Sequence, residues 1–237
     1  MWFYFIRHGM PDYANDCLTE YGRQQAAAVA DRFAESGLDK IFASSMGRAK
    51  ETAEFTAKKL GLNVELLDFA REDKAAGEFA VFRDGRNKWC FFDRQTLDEF
   101  LSEEVISLGD KWYDSPKYKD TNYKSGTLRV KKATAEFIEK LGYRFNEKRG
   151  TYTAVKHVYD KVALFAHGGF SMIFFSCLLN IPYPAFCTRF QHIGTSTVCA
   201  FHLDDEGENI LPVIYQYGSD AHLYKESLLD GLDVKAF

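Results

Sequence analysis

Short apolar runs alternate with amphipathic segments over the first 67 residues, and this alternation restricts the fold more than any other feature of the sequence. The aromatic and β-branched run at residues 2–6 predicts a buried strand. Thr19 predicts the start of a helix, and Gly37 predicts its end. The other predicted elements are strands at residues 40–43 and 63–67 and, between them, a helix that follows Ser44-Ser45 and ends near Leu60-Gly61. This order indicates an α/β fold, a three-layer α/β/α sandwich with a mostly parallel central sheet.

The pattern changes between about residues 71 and 150, where charged and aromatic residues are frequent. Helices are expected here at residues 96–108 and 127–141. We interpret this stretch, called the cap below, as an inserted helical region within a single domain of residues 1–237. A chain of this length is sufficient to bury one full core.

Apolar segments return after the cap. The expected elements are strands at residues 151–157, 161–166, 195–202 and 210–217, and a helix at residues 169–179. A tight turn at Tyr159-Asp160 is expected to join the first two strands, and Pro182 is expected to stop the helix. Both flanks of the cap therefore contribute elements to the predicted sandwich.

The composition is that of a soluble globular protein, with 46% hydrophobic residues, 27% charged residues and a net charge of -4. Because this balance provides no basic face, we expect no nucleic-acid partner. The five cysteines are odd in number and form no CxxC pair, which indicates a reducing compartment. The first apolar run is too short for a signal peptide or a membrane span, so we expect a cytoplasmic protein without a membrane partner.

Polar residues follow three of the predicted strands. The three segments are Phe5-Ile6-Arg7-His8-Gly9, Ser44-Ser45-Met46-Gly47-Arg48-Ala49-Lys50-Glu51-Thr52-Ala53 and Phe165-Ala166-His167-Gly168-Gly169. Ligands of open α/β sheets bind at such strand ends, so these segments are the candidate site. The spacing of His, Cys, Asp and Glu resembles no metal site, and we expect neither a metal nor a cofactor.

These segments resemble the histidine phosphatase superfamily, which includes the cofactor-dependent phosphoglycerate mutases. That family has Arg-His-Gly after its first strand, a helix start of the form Ser-x-x-x-Arg-Ala-x-x-Thr-Ala, and a later His-Gly. All three occur here in the same order, and residues 18–26 resemble the Leu-Thr-x-x-Gly-x-x-Gln-Ala pattern of the family's first helix. The resemblance leaves the cap uncovered. It implies a metal-independent phosphomonoesterase that acts through a covalent phosphohistidine.

The chemistry of phosphate esters agrees with these residue types. A phosphomonoester carries about two negative charges, and its transition state spreads charge over the oxygens. The forked guanidinium groups of Arg7 and Arg48 suit such oxygens, and His167 is expected to be a further donor, protonated beside the anion. Neutral His8 is expected to attack phosphorus, with its second ring nitrogen held by a backbone carbonyl. Gly168 is expected to let the backbone approach the phosphate closely.

The general acid for the leaving oxygen is harder to assign. Many relatives carry it in a Trp-Glu-Gly segment shortly after the third strand, and this triplet is absent here. Glu78 stands at about the corresponding distance and follows Gly77, so we predict Glu78 as the acid, with Glu72 and Asp73 as rivals. Asn15 lies near, although not in register with, a phosphate-contacting asparagine of the mutase branch, and it is a candidate substrate-binding residue.

Several alternatives stay open at this stage. The rivals to a phosphatase are phosphoglycerate mutase-type phosphoryl transfer and a catalytically weak, phosphate-binding regulatory module. Residues 82–92 either line the mouth and contact the non-phosphate part of a small-molecule substrate, or form an exposed structural face. The aromatic residues of the cap are compatible with an apolar-walled mouth or with a homodimer patch. His222 lies in a segment similar to the tail of some branches of the family. It either has a structural role, in which it orients neighbouring groups, or it has a role near the pocket.

Overall fold

The computed structural model describes residues 1–225 together with residues 227 and 228. Its strands are β1 (Trp2–Arg7), β2 (Pro11–Asp12), β3 (Cys17–Leu18), β4 (Lys40–Ser44), β5 (Val64–Leu67), β6 (Ala80–Arg83), β7 (Arg86–Trp89), β8 (Tyr143–Asn146), β9 (Thr151–Ala154), β10 (Lys161–Ala166), β11 (Val198–His202) and β12 (Val213–Ser219). Its α-helices are α1 (Glu20–Ser36), α2 (Gly47–Leu60), α3 (Glu72–Phe79), α4 (Arg94–Phe100), α5 (Glu103–Leu108), α6 (Tyr123–Lys140), α7 (Gly168–Leu179), α8 (Tyr183–Cys187) and α9 (Ala221–Lys225). Within these described residues, no helix has the length and apolar character needed to cross a membrane.

Six of the strands form the central sheet, in the order β12-β11-β1-β10-β4-β5. The pairs β1–β10, β10–β4 and β4–β5 are parallel. The pairs β1–β11 and β11–β12 are antiparallel. The predicted α/β fold with a mostly parallel central sheet is therefore confirmed. Parallel neighbours also bring the carboxyl ends of β1, β10 and β4 to one edge of the sheet.

Successive side chains of β1 enter two cores on opposite faces of the sheet, as the pleat of a strand requires. Phe3 and Phe5 belong to a core that includes Phe137 of α6 and Phe174 of α7. Ile6 belongs to the other core, which contains residues of α1 and α2. The ring centroids lie 6.0 Å apart for Phe3 and Phe137 and 5.8 Å apart for Phe5 and Phe174, within the usual range for packed aromatic rings. This packing holds α6 and α7 against the strand that carries the candidate site.

The start of α1 lies directly against the loop that follows β1. Thr19 is the N-cap, as predicted, and its hydroxyl accepts a hydrogen bond from Gly22 N at 3.0 Å. The backbone N–H of Thr19 donates to Met10 O at 3.0 Å. A Cβ at Gly22 would lie 2.2 Å from Met10 O, so only glycine permits this approach. Gly37 ends the helix with a φ of 70°, also as predicted.

Residues 151–157 and 161–166 do not form the predicted hairpin. β9 pairs antiparallel with β8, whereas β10 lies in the central sheet between β1 and β4. Five of the six residues of β10 are buried, which is typical of a strand covered on both faces. Such a strand needs a neighbour on each edge, and the central sheet supplies both. The short connection at Tyr159-Asp160 wrongly suggested that the two strands it joins pair with each other.

The cap contributes no strand to the central sheet within residues 71–150, all of which the structure describes. The predicted helix at residues 96–108 is two helices, α4 and α5, separated at Leu101-Ser102. The helix expected at residues 127–141 begins earlier, at Tyr123. Aromatic side chains of the cap are continuous with the core that contains Phe3. The division of the chain into one domain with an inserted cap stays a prediction.

Candidate active site

The carboxyl ends of three parallel strands bring several predicted site residues together. In the register of β1 and β10, Arg7 lies opposite Ala166, so His8 and His167 follow side by side. The backbone N–H of His8 donates to Ala166 O at 2.9 Å, and the ring centroids of His8 and His167 are 5.2 Å apart. Ser44 ends the neighbouring strand β4, and its Oγ lies 2.8 Å from His167 Nε2. Two histidines and an arginine therefore share one edge of the sheet.

The imidazole of His8 is fully buried, and two contacts define its tautomer. Nδ1 lies 2.7 Å from Gly9 O, and a carbonyl only accepts, so Nδ1 carries the proton. Nε2 accepts a hydrogen bond from Arg48 Nε at 3.2 Å. Burial lowers the pKa of His8 well below its usual 6.5, and the nearby positive charge of Arg7 lowers it further. The ring is therefore neutral, with a lone pair on Nε2.

His167 is also fully buried. Among the residues that the structure describes, its Nδ1 has no hydrogen-bond partner, and it lies 3.8 Å from Glu72 Oε2. Burial lowers the pKa of His167 well below 6.5, and the proximity of His8 and Arg48 adds to this. His167 is therefore neutral in the protein without a ligand, and its protonation beside a bound anion stays a prediction. Its protonation would require an anion nearby.

Three groups hold the guanidinium of Arg48. Nε donates to His8, Nη1 donates to Asp16 Oδ1 at 2.6 Å, and Nη2 donates to Glu72 Oε2 at 2.8 Å. A guanidinium has five N–H groups, so two remain for oxygens of a ligand. Asp16 also accepts from Gly47 N at 2.7 Å. Arg48 is thus fixed at the start of α2, and only part of its fork is available to a phosphate.

Arg7 is held by a backbone carbonyl, since its Nη1 donates to Ile193 O at 2.7 Å. Its Nε is buried and has no hydrogen-bond partner within residues 1–225, 227 and 228. A Cβ at Gly168 would lie 3.2 Å from Arg7 Cζ, so the glycine makes room for the guanidinium. An unpaired buried donor costs about 1–3 kcal/mol. Arg7 Nε and His167 Nδ1 are two buried polar atoms in one site without a partner among the described residues, which is typical of a place that receives a polar ligand.

The three candidate acids differ in their contacts. Glu78 accepts from Arg129 with both oxygens, each at 2.6 Å. Asp73 is bound by Arg71, with the contact to Nε at 3.0 Å. Glu72 instead contacts the site, through Arg48 and through Gly169 N at 2.9 Å. Glu78 as the general acid stays a prediction: its carboxylate belongs to an ion pair with α6, whereas Glu72 is the carboxylate of the three that faces the histidines.

Asn15 is exposed, and its side chain donates to Asp12 Oδ2 at 2.8 Å. Its role in binding substrate stays a prediction. The neighbouring Asp16 is the residue of this loop that reaches Arg48, and sequence reasoning missed it. Thr52 belongs to the helix-start motif, which by itself indicates no role for it. In the structure, Thr52 Oγ1 accepts a hydrogen bond from Gly9 N at 3.0 Å. The motif pattern was the signal for Thr52, whereas nothing in the spacing singles out Asp16.

His222 is connected to the site through backbone atoms of Ser196. The N–H of Ser196 donates to the carbonyl oxygens of Arg7 and His8, each at 3.1 Å. Ser196 O accepts from His222 Nε2 at 2.9 Å, and Ser196 has a φ of 55°. Arg32 Nη1 donates to His222 Nδ1 at 3.3 Å. Of the two readings for His222, orientation of the structure is the one that these contacts favour.

His8, Glu72 and His167 also bring three potential metal-ligand atoms within 4.8 Å of one another. The spacing along the sequence does not reveal this group, because the three residues come from distant segments, and the expectation of no metal stays a prediction. Two nitrogens and one carboxylate oxygen suit a divalent cation such as Zn²⁺. However, Arg48 donates to both His8 and Glu72, so a cation there would face a guanidinium. The surroundings fit an anion better.

Comparison with known proteins agrees with this geometry. Residues 3–78 match the sequence profile of the histidine phosphatase superfamily (branch 1). A probable phosphoglycerate mutase GpmB of Erwinia tasmaniensis is 35% identical over 78 residues, which cover 29% of this chain and 36% of that protein. Another, of Photorhabdus laumondii, is 28% identical over 118 residues, which cover 46% of each chain. The chain thus matches less than half the length of these relatives.

Solved structures match over nearly the whole chain. Phosphoserine phosphatase of Entamoeba histolytica, in complex with 3-phosphoglyceric acid, has a TM-score of 0.58 and 19% identity and covers 94% of this chain and 98% of its own. Mycobacterial glucosyl-3-phosphoglycerate phosphatase, in complex with inorganic phosphate, has a TM-score of 0.58 and 20% identity and covers 93% and 98%. At such identities these structures show the fold. The profile match over residues 3–78 and these shared folds agree with the predicted resemblance to the histidine phosphatase superfamily.

The buried, neutral state of the two histidines makes a prediction about pH. The ring resonances of His8 and His167 should show no titration midpoint near pH 6.5, because both pKa values are lowered in the folded protein. The unfolded chain takes up these protons below pH 6.5 and the native protein does not, so the free energy of unfolding should fall with decreasing pH, by up to about 1.4 kcal/mol per pH unit for each histidine. NMR titration and urea unfolding at several pH values measure both effects.

His8→Asn and His167→Asn are the matched controls for that experiment. Each should remove one ring resonance and one histidine's share of the pH slope. Ring midpoints near 6.5 in the wild type, or an unfolding free energy independent of pH between 5 and 6.5, would contradict the buried neutral state.

Proposed function

We propose that this protein is a phosphomonoesterase that acts through a covalent phosphohistidine on His8. The state of the His8 ring carries this proposal: it is buried and neutral, its Nδ1 proton is held by Gly9 O, and its Nε2 lone pair faces Arg48. A nitrogen nucleophile toward phosphorus needs such a lone pair beside positive charge that offsets the charge of the phosphate.

The donors around His8 fit the oxygens of a phosphate. In the described part of the chain, Arg7 Nε and His167 Nδ1 are buried without a hydrogen-bond partner, and Arg48 keeps two N–H groups. A phosphoryl group above Nε2 would displace the hydrogen bond from Arg48 Nε to His8. Approach of the anion also favours protonation of His167, which then donates to it.

The reaction proceeds in two displacements. The Nε2 lone pair of His8 forms a bond to phosphorus as the bond from phosphorus to the substrate's alcohol oxygen breaks, and that oxygen takes a proton from an acid. Water then attacks the phosphohistidine and gives a proton back to the same carboxylate. Inorganic phosphate leaves, and His8 returns to its neutral form. The first step exchanges a P–O bond for a P–N bond, the second exchanges that P–N bond for a P–O bond to water, and neither requires a redox partner.

Glu72 is our candidate for that acid and base. Its carboxylate lies between Arg48 and the backbone N–H of Gly169, 3.8 Å from His167 Nδ1. A phosphate dianion beside this carboxylate favours its protonated form through like-charge repulsion. Protonated Glu72 can donate to the leaving oxygen and, once ionised, can accept a proton from water.

A mutase and a weak phosphate-binding module are the competing functions. Sequence relatives carry the name of phosphoglycerate mutase, whereas the solved structures with this fold include phosphatases, one of them in complex with VO3. The site supports a catalyst over a binder, since a binder has no need of a nitrogen lone pair aimed at the phosphate. We favour hydrolysis over transfer because Met10 follows Arg-His-Gly where many relatives carry a polar residue.

The nucleophile assignment predicts the fate of labelled phosphate. Reaction of the wild type for a few milliseconds with a 32P-labelled substrate, followed by a denaturing quench, should give a phosphoenzyme that is stable in base and labile in acid. His8→Ala should give none and should lose turnover by several orders of magnitude, because the bond-forming atom is absent. His222→Ala is the control for removal of a partly buried histidine outside the proposed phosphate site. Near-normal turnover in His8→Ala would rule out the mechanism.

The acid assignment predicts a dependence on the leaving group. In single-turnover reactions, Glu72→Gln should slow the phosphorylation step with ethyl phosphate by about 100- to 10,000-fold, because an alkyl alkoxide needs the proton. The loss with nitrophenyl phosphate should be much smaller, since that leaving group departs without a proton. Glu78→Gln is the matched control and should show no such dependence. A leaving-group-dependent loss in Glu78→Gln alone would return the role to Glu78.

The cluster of His8, Glu72 and His167 makes the metal question testable. We expect activity to survive dialysis against EDTA, because the arginines already offset the phosphate charge. Added Zn²⁺ should inhibit if it binds at all, since it would occupy the nucleophilic lone pair. Activity lost in EDTA and restored by Zn²⁺ or Mg²⁺ would contradict a metal-independent reaction.

A further inference from the structure

The hairpin of β6 and β7 has one aromatic face and one charged face. Directly opposed residues in an antiparallel pair lie on the same face, and successive residues alternate. The register places Ala80, Trp89, Phe82 and Asn87 on one face and Val81, Lys88, Arg83 and Arg86 on the other. Residues 82–92 were expected either to line the mouth of the site or to form an exposed structural face. Within the hairpin, their side chains are divided between these two faces.

The aromatic face lies against the backbone of the candidate active site. A Cβ placed on Gly169 would lie 2.1 Å from Trp89 Cζ2 and 2.4 Å from its Cε2, so the indole packs directly on that backbone. The N–H of Gly169 donates to Glu72, the proposed acid. Trp89 therefore stands next to the place where the leaving oxygen would receive its proton.

Three more rings extend this aromatic surface. Trp89 and Phe91 are stacked with ring centroids 5.4 Å apart, and Phe92 lies 4.6 Å from Phe91 and 4.9 Å from His192. The residue after His192 supplies the carbonyl that holds Arg7. The four rings, called the aromatic wall below, thus run from the Gly169 side of the site to the Arg7 side. Phe92 is 54% exposed, so the wall presents ring surface to solvent.

The cations of the same hairpin are turned away from this wall. Lys88 and Arg83 lie on the opposite face, and both are paired with Asp93, at 2.9 Å and 3.4 Å. Asp93 accepts in turn from Thr96, which fixes it at the start of α4. The hairpin therefore offers the site apolar rings and holds its positive charges elsewhere.

We propose that the aromatic wall of Trp89, Phe91, Phe92 and His192 is the subsite for the alcohol part of the substrate, and that it selects phosphomonoesters whose alcohol carries a flat, uncharged ring. The inference rests on the proposed phosphatase reaction at His8. Aromatic rings attract one another in offset-stacked or edge-to-face arrangements, which the wall can offer to a ring bound beside the phosphate. An ester with a carboxylate on the alcohol side would meet no cation on the aromatic face of β6 and β7, whose residues the structure describes in full.

The test compares esters of three primary alcohols, so that the leaving oxygens are similar. Benzyl phosphate carries a ring, ethyl phosphate carries none, and 2-carboxyethyl phosphate carries a carboxylate. We expect kcat/KM for benzyl phosphate to exceed that for the other two by about tenfold or more, the amount that one ring contact is worth. Equal values, or a preference for the carboxylate ester, would overturn the subsite.

Single substitutions test whether the preference for benzyl phosphate arises at the aromatic wall. Phe92→Ala removes an exposed ring, and it should lower kcat/KM for benzyl phosphate about fivefold or more while lowering that for ethyl phosphate by less. Leu211→Ala is the matched control, because Leu211 is similarly exposed, at 55%. It lies two residues before Val213, which pairs with His202 at the opposite edge of the sheet. It should leave all three values unchanged. A loss in Phe92→Ala that is the same for all esters would count against the wall.

A binding measurement separates this inference from the proposed reaction. Benzylphosphonate and ethylphosphonate cannot be hydrolysed, and calorimetry gives their dissociation constants without turnover. If no ester is hydrolysed but benzylphosphonate binds about tenfold more tightly and Phe92→Ala removes the difference, the reaction is wrong and the subsite stands. If esters are hydrolysed and the two phosphonates bind equally, the reaction stands and the subsite is wrong.

Discussion

The parallel pairing of β1 with β10 is the constraint on which the rest of the site depends. It sets Arg7 opposite Ala166 and thereby places His8 beside His167. A slip of one residue would reverse the face on which each side chain of β1 lies, and it would move Phe3 and Phe5 out of their core. The hydrophobic core therefore fixes the register, and the register fixes the distance between the two histidines.

At this edge of the sheet, buried positive charge is paired with carboxylates. A phosphate ligand can take the place of these carboxylates or favour their protonated form. Arg48 is buried with Asp16 and Glu72 on its two terminal nitrogens. Removing one partner of such a group is costly, which keeps the guanidinium in place. Because burial keeps His8 and His167 neutral, the site holds no more positive charge than its arginines provide. An incoming dianion thus finds donors already oriented toward it.

Motifs at strand ends were sufficient to predict the α/β sheet and to name Arg7, His8, Arg48 and His167. Glu72 was only a rival, because the local sequence gives no sign that Glu78 is bound by Arg129 on a distant helix. The same reason hides the His8, Glu72 and His167 cluster, which forms only when three distant segments meet. A short connection was not sufficient to predict strand pairing at residues 151–166. β10 is buried on both faces and pairs within the central sheet instead of with β9.

A crystal structure of the protein with vanadate tests the central claim most directly. Vanadate adopts the five-coordinate geometry of the transferring phosphoryl group. The account predicts vanadium at covalent bonding distance from His8 Nε2, with equatorial oxygens bound by Arg7, Arg48 and His167 Nδ1, and with Glu72 next to the apical oxygen. Vanadate bound at another edge of the sheet, or bound with His8 Nδ1 or another side chain as its ligand, would contradict it.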